Sequence, residues 1–171
     1  LDGVATGDIV ELTQGMSFFA SPRISKDGKK IAFLAWSLPD MPWDSAALYV
    51  ADLKGAGLGR TRRIAGGANG DGKTFSAIFQ PEWAADGTLY FVSDLTGMGQ
   101  LMAWDGTEIK TAHQPIAADL MRPQWVFGMR SYATAPDGSV TGVFLDLGAP
   151  RIEIIAKGTG KSVRIPLPET T

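Results

Sequence analysis

An Asp-Gly pair recurs along this chain, at Asp27-Gly28, Asp86-Gly87 and Asp137-Gly138. Each pair is a tight-turn signal, because glycine accepts a positive φ without steric cost and aspartate bonds to the backbone just beyond it. A short segment precedes each pair (18–24, 78–83, 131–134), and an apolar run follows it (30–36, 88–92, 140–145). A further strand-like segment comes next, at 47–52, 99–104 and 151–156. A polar turn and a short outer strand close each unit, at 62–64, 108–110 and 162–165. The pairs are unequally spaced, so the loops differ while the unit persists.

Each unit therefore reads as four strands, a to d, with the Asp-Gly turn between a and b. No sustained helical period occurs, which predicts an all-β class. Four-stranded antiparallel units repeated in this way predict a partial β-propeller of about three blades. An immunoglobulin-like sandwich competes, but it needs about seven strands in Greek-key order and does not explain the recurring turn. The expected blades are 16–66, 75–112 and 117–168. Residues 1–15 read as the end of a preceding blade, with an outer strand over 8–14. Propellers close with four or more blades, so the first and last sheets should expose apolar faces. Such a piece self-associates through those faces or belongs to a longer chain. The opening Leu1-Asp2-Gly3, without an initiator Met, reads the same way.

Composition removes several function classes. A net charge of −2 over 171 residues gives no electrostatic reason to expect nucleic acid. No run of apolar residues is long enough for a membrane span. The absence of cysteine excludes disulfides, thiol nucleophiles and thiolate zinc sites. The sequence leaves the compartment open, with the cytoplasm ahead of the periplasm.

Two repeats carry a family resemblance. One is Ser21-Pro22-Arg23-Ile24-Ser25-Lys26-Asp27-Gly28-Lys29-Lys30-Ile31-Ala32-Phe33. The other is Gln80-Pro81-Glu82-Trp83-Ala84-Ala85-Asp86-Gly87-Thr88-Leu89-Tyr90-Phe91-Val92-Ser93-Asp94. Both resemble the propeller repeat of prolyl-oligopeptidase-like serine peptidases. Met41-Pro42-Trp43-Asp44, followed by Ala47-Leu48-Tyr49-Val50-Ala51-Asp52, sharpens the match. So does Pro123-Gln124-Trp125-Val126-Phe127-Gly128. These two segments resemble the acylaminoacyl-peptidase and dipeptidyl-peptidase-like branch.

The resemblance implies an N-terminal propeller that caps an α/β-hydrolase domain of the same parent chain and screens peptide substrates by size. Strand a would line the central tunnel, which makes Gln80 and Glu82 candidates for substrate contact. Trp43, Gln124, Trp125 and Phe127 are candidates for docking the hydrolase domain. The family pattern also calls for an acidic residue just ahead of Ile78-Phe79-Gln80. This sequence has Thr74-Phe75-Ser76-Ala77 there, which argues against a carboxylate at that place for the substrate amino group.

No catalytic residue is expected within the chain. A serine peptidase needs a Gly-x-Ser-x-Gly elbow and a histidine base. No such run occurs, and the single histidine, His113, reads as a loop residue ahead of Pro115. Gly158-Thr159-Gly160-Lys161-Ser162 has Ile155 where a phosphate loop needs glycine, and reads as a hairpin turn. Gly55 to Gly59 reads as a flexible turn and not a dinucleotide site, since no helix follows. A calcium loop around Asn69 to Gly72 would need Asp and Glu where Gly67 and Ile78 stand. No cofactor or metal is expected. Trp36, Trp83 and Trp104 read as core, and Arg60, Arg62 and Arg63 as a solvated rim. Two other functions remain open on this reading. One is a stand-alone propeller that binds a protein partner in the bacterial envelope. The other is a carbohydrate-active propeller, which would need paired carboxylates where strand a offers Glu82.

Overall fold

The computed structural model describes residues 9, 11–55, 57–68, 75–114 and 116–167. Three separate four-stranded antiparallel sheets dominate it. The first runs β1 (Phe18–Ile24), β2 (Lys30–Trp36), β3 (Ala47–Lys54) and β4 (Gly57–Ala65), with the four-residue helix α1 (Pro42–Ser45) between β2 and β3. A two-stranded ribbon follows, β5 (Gly67–Ala68) with β6 (Phe75–Ser76). The second sheet contains β7 (Ile78–Trp83), β8 (Leu89–Ser93), β9 (Gln100–Trp104) and β10 (Ile109–Thr111). The third contains β11 (Tyr132–Thr134), β12 (Val140–Asp146), β13 (Ala149–Ile155) and β14 (Ser162–Ile165). Each sheet follows chain order, as propeller blades do, and the sheets do not close on themselves.

The three Asp-Gly pairs occupy equivalent places between the first two strands. Gly28, Gly87 and Gly138 have φ of 71°, 87° and 85°. The carboxylates of Asp27, Asp86 and Asp137 accept from the backbone N–H two residues on, at 3.1, 2.9 and 2.8 Å.

Two cores lie between the sheets, and strand alternation distributes side chains between them. On β8, Leu89 and Phe91 face the first sheet and join Ala32, Leu34, Leu48 and Val50. The intervening Tyr90 and Val92 face the third sheet and join Val140, Phe144 and Ile155. Trp36, Trp83 and Trp104 are buried, and Arg62 of β4 lies 5.5 Å over the Trp104 ring. A third cluster, Phe33, Ala35 and Ala51, lies on the far side of the first sheet beneath Met16 and Leu58.

Two expectations are corrected. Ile9 and residues 11–14, the described part of 8–14, are not in a strand. No sheet edge pairs with them, and an unpaired strand leaves its backbone groups without a ladder. The stretch after Lys54 is not a flexible turn. β3 runs on to Lys54 and pairs it with Gly57, so the glycines belong to a tight hairpin opening β4. His113 lies in a bend outside the strands, as expected of a loop residue, but it is buried, at 5% exposed. Its Nε2 accepts from the Leu101 N–H at 3.3 Å, and Nδ1 lies 2.6 Å from the Gln114 carbonyl. Those contacts make Nδ1 the protonated nitrogen, and burial pushes the ring's pKa down. The calcium-loop reading, Asn69 to Gly72, falls outside the described residues.

Candidate docking face and inner-strand cluster

Antiparallel order gives the three sheets two unlike ends. The Asp-Gly turns and the hairpins between the third and fourth strands share one end. The loops after each second strand, and the connectors between sheets, share the other. Large exposed apolar side chains concentrate at this connector end, among them Leu38, Met41, Trp43, Leu95, Trp125 and Phe127. Among the described residues, the Asp-Gly end shows only scattered aliphatic side chains, Ile24, Ile109, Ile154 and Val163, and no exposed aromatic ring.

Within that end, a compact aromatic cluster is built from distant segments. Asp44 shapes α1 by accepting from the Met41 N–H at 2.9 Å, and the Ser45 hydroxyl donates to Asp40 at 2.6 Å. The helix is thereby fixed, and Trp43 stands out from it, 41% exposed. The connector leaves β4 close beside this helix. At Gly66, with φ of 76°, a Cβ would lie 2.6 Å from the Ala46 carbonyl oxygen, so the path requires glycine.

The connector from β10 to β11 is longer. It carries no strand or helix among its described residues apart from one bridge, Asp119 to Leu145. A loop of this length inside a compact fold usually serves a function. It is held down along its course. The Asp119 carboxylate accepts from the N–H groups of Gly99 and Met121, and Leu120 is fully buried. The Arg122 guanidinium donates to the Val143 carbonyl at 2.6 Å. The Gln124 amide then donates to the Pro42 carbonyl at 3.1 Å and to the Ile78 carbonyl at 3.3 Å, tying the loop to the first two sheets. Just past that anchor, Trp125 and Phe127 are 75% and 78% exposed. With Phe18, Met41 and Trp43 they line one open apolar cleft. Exposed apolar patches of this kind mark interaction surfaces.

The inner strands carry a second, polar constellation. Ser21 and Gln80 sit at bulges in β1 and β7, at φ of 51° and 48°, each followed by proline. Proline has no N–H to leave unpaired at the bulge. The Gln80 amide is turned toward the third sheet, where its oxygen accepts from Ser131 N–H at 2.7 Å and Tyr132 N–H at 3.3 Å. Its nitrogen donates to the Tyr132 carbonyl at 2.7 Å. Glu82, two residues on, receives Arg23 of the first sheet at 3.2 Å and Arg130 ahead of the third at 3.0 Å.

Of the residues singled out from sequence, the structure brings Trp43, Gln124, Trp125 and Phe127 into one cluster. Gln80 and Glu82 both lie on β7, but the Gln80 side chain is 2% exposed and bonded to the neighbouring sheet. Arg23 and Arg130 were not singled out. Their meeting at Glu82 depends on sheet packing that no local pattern reports. Among the described residues, no group of three or more His, Asp or Glu side chains could hold a metal ion.

No protein-family model and no curated protein matches the chain. Solved structures do match. Similarity to puromycin hydrolase is 31% in sequence with a TM-score of 0.78, over 90% of this chain and 22% of that one. Similarity to a puromycin-hydrolyzing peptidase from Mycobacterium tuberculosis is 27% with a TM-score of 0.82, over 95% of this chain and 24% of that one. A prolyl endopeptidase structure shares the fold at 15% identity and a TM-score of 0.58, over 86% of this chain and 19% of that one. The chain thus spans under a quarter of the length of each of these structures.

Proposed function

This chain is built as the β-propeller of prolyl-oligopeptidase-like serine peptidases is built, and we propose that it serves as the non-catalytic, substrate-gating part of such a peptidase. The blades are 16–66, 75–112 and 117–168, with 1–15 assigned to a preceding blade. The connector end docks an α/β-hydrolase domain of the same parent chain. Trp43, Gln124, Trp125 and Phe127 form the contact. The inner strands border the tunnel through which short peptides reach the catalytic centre, and Glu82, with the two arginines paired to it, belongs to the charged cluster there.

The observation that carries this reading is the inequality of the two ends. A rigidly anchored aromatic cluster stands exposed at one end, where the blade fold alone gives it nothing to pack on. Burying Trp125 and Phe127 against a second domain would recover about 2 kcal/mol or more per side chain.

Two measurements test the reading. The purified chain should not hydrolyse a peptide anilide, because it has no nucleophile elbow. The coding sequence beyond residue 171 should contain Gly-x-Ser-x-Gly followed by Asp and His. Turnover by the chain alone, or a reading frame without that motif, contradicts the proposal.

A further inference from the structure

The inner-strand charge cluster has a sign that the apolar docking face does not predict. Arg23 and Arg130 come from the first sheet and from the segment entering the third, yet both approach the same oxygen, Oε1 of Glu82. Neither guanidinium pairs with Glu82 in the two-pronged manner that binds carboxylates best. Arg23 spends a further N–H on the Pro22 carbonyl at 2.9 Å. Among the described residues Arg130 makes no second ion pair, and its side chain is 58% exposed. Two cations on one carboxylate leave an excess of one positive charge. The cluster stands beside the buried Tyr132, whose hydroxyl donates to the Gln80 carbonyl at 2.6 Å.

The backbone that presents Arg130 is fixed. The next residue, Ser131, is 3% exposed, and its N–H is held by the Gln80 amide. An arginine on a fixed backbone, bonded to Glu82 through one nitrogen and beside a second arginine, suits a carboxylate. The same excess charge repels an ammonium group. Glu82 is already shared between two guanidiniums and does not offer a site for a peptide's amino terminus.

We propose that Arg130, supported by Arg23 and Glu82, forms a binding site for a carboxylate of a peptide, supplied by its free C-terminus or by an acidic side chain. The meaning of the site for substrate choice rests on the peptidase reading. Its chemistry does not, and it is tested without hydrolysis.

The test uses this 171-residue chain and four small probes, followed by NMR shifts at the arginine side chains and at the Ser131 amide. The probes are N-acetyl-glycylglycine with a free carboxylate, its C-terminal amide, N-acetyl-glutamate amide, and glycylglycine amide with a free amino group. The two carboxylate probes should shift Arg130 and Ser131 saturably, and the two amides should not. Preference between the carboxylates identifies the source. Arg130→Met, at an exposed position, should abolish the shifts while leaving the rest of the spectrum in place. Glu82→Gln removes the internal competitor and should tighten carboxylate binding several-fold, which a purely structural Glu82 would not produce. Equal response to amide and carboxylate, preference for the ammonium probe, or weaker binding in Glu82→Gln overturns the proposal. None of these outcomes depends on whether a hydrolase domain exists, so this site and the docking reading fail independently.

Discussion

The side-chain amide of Gln80 closes a ring with the backbone of Tyr132. Its nitrogen donates to the Tyr132 carbonyl, its oxygen accepts from the Tyr132 N–H, and the Tyr132 hydroxyl returns a bond to the Gln80 carbonyl. Burial raises the Tyr132 phenol pKa well above its usual value, so the hydroxyl stays a donor. The first pair of sheets meets differently. Ser21, at the equivalent bulge, is too short to reach across, and Pro81 offers no N–H to accept from. There the Trp83 indole donates to the Arg23 carbonyl at 3.0 Å, and Arg23 meets Glu82.

The ring predicts a cost for Gln80→Ala. The substitution leaves the Ser131 and Tyr132 N–H groups buried without partners. About 3 kcal/mol of stability should be lost, measured by urea unfolding. A loss below about 0.5 kcal/mol would mean that the second and third sheets do not depend on this contact.

Phe91 and Phe144 are fully buried, one in each inter-sheet core. Truncation to alanine at either position should cost about 3–5 kcal/mol. Nearly equal losses, seen as equal shifts in the denaturation midpoint, are expected if the three sheets unfold as one unit.

His113 gives the chain a pH dependence of known sign. Its folded pKa lies below the usual 6.5 because burial disfavours the charged ring. Below that value the unfolded chain binds a proton that the folded chain resists. Stability is therefore full above about pH 6.5 and falls as the pH is lowered, by at most about 1.4 kcal/mol per unit. His113→Phe should remove that slope between pH 7.5 and 5.5 in urea titrations, even if it shifts the absolute stability.

The exposed aromatics make the opposite prediction to the core. Trp125→Ser and Phe127→Ser should leave the melting temperature within about 2 °C, because neither side chain is buried in this chain. Both should reduce binding of an apolar dye such as ANS. A large fall in melting temperature would show that the cluster supports the blades themselves.

Turn chemistry made the sheets readable from the sequence. Asp27, Asp86 and Asp137 act on neighbours two residues away, and Gly28, Gly87 and Gly138 supply the positive φ, so each turn is written locally. The docking candidates rested on the family resemblance of Met41 to Asp44 and Pro123 to Gly128, two proline-containing segments outside any strand pattern. What brings them together is the Gln124 amide reaching Pro42 across 82 positions, which no local rule registers. The burial of His113 within its loop had no local signal, since Phe144, edge-on to the ring at 5.8 Å, comes from another sheet. The Arg23–Glu82–Arg130 cluster was missed because its members belong to three different units and share no motif.

Hydroxyl-radical footprinting of this chain alone and within the longer protein tests the central claim most directly. Trp43, Trp125 and Phe127 should react readily in the isolated chain and become protected in the longer protein. Ile24 and Ile109, at the Asp-Gly end, should react equally in both. Unchanged reactivity at the three aromatics, or protection of the Asp-Gly end in their place, would contradict the account.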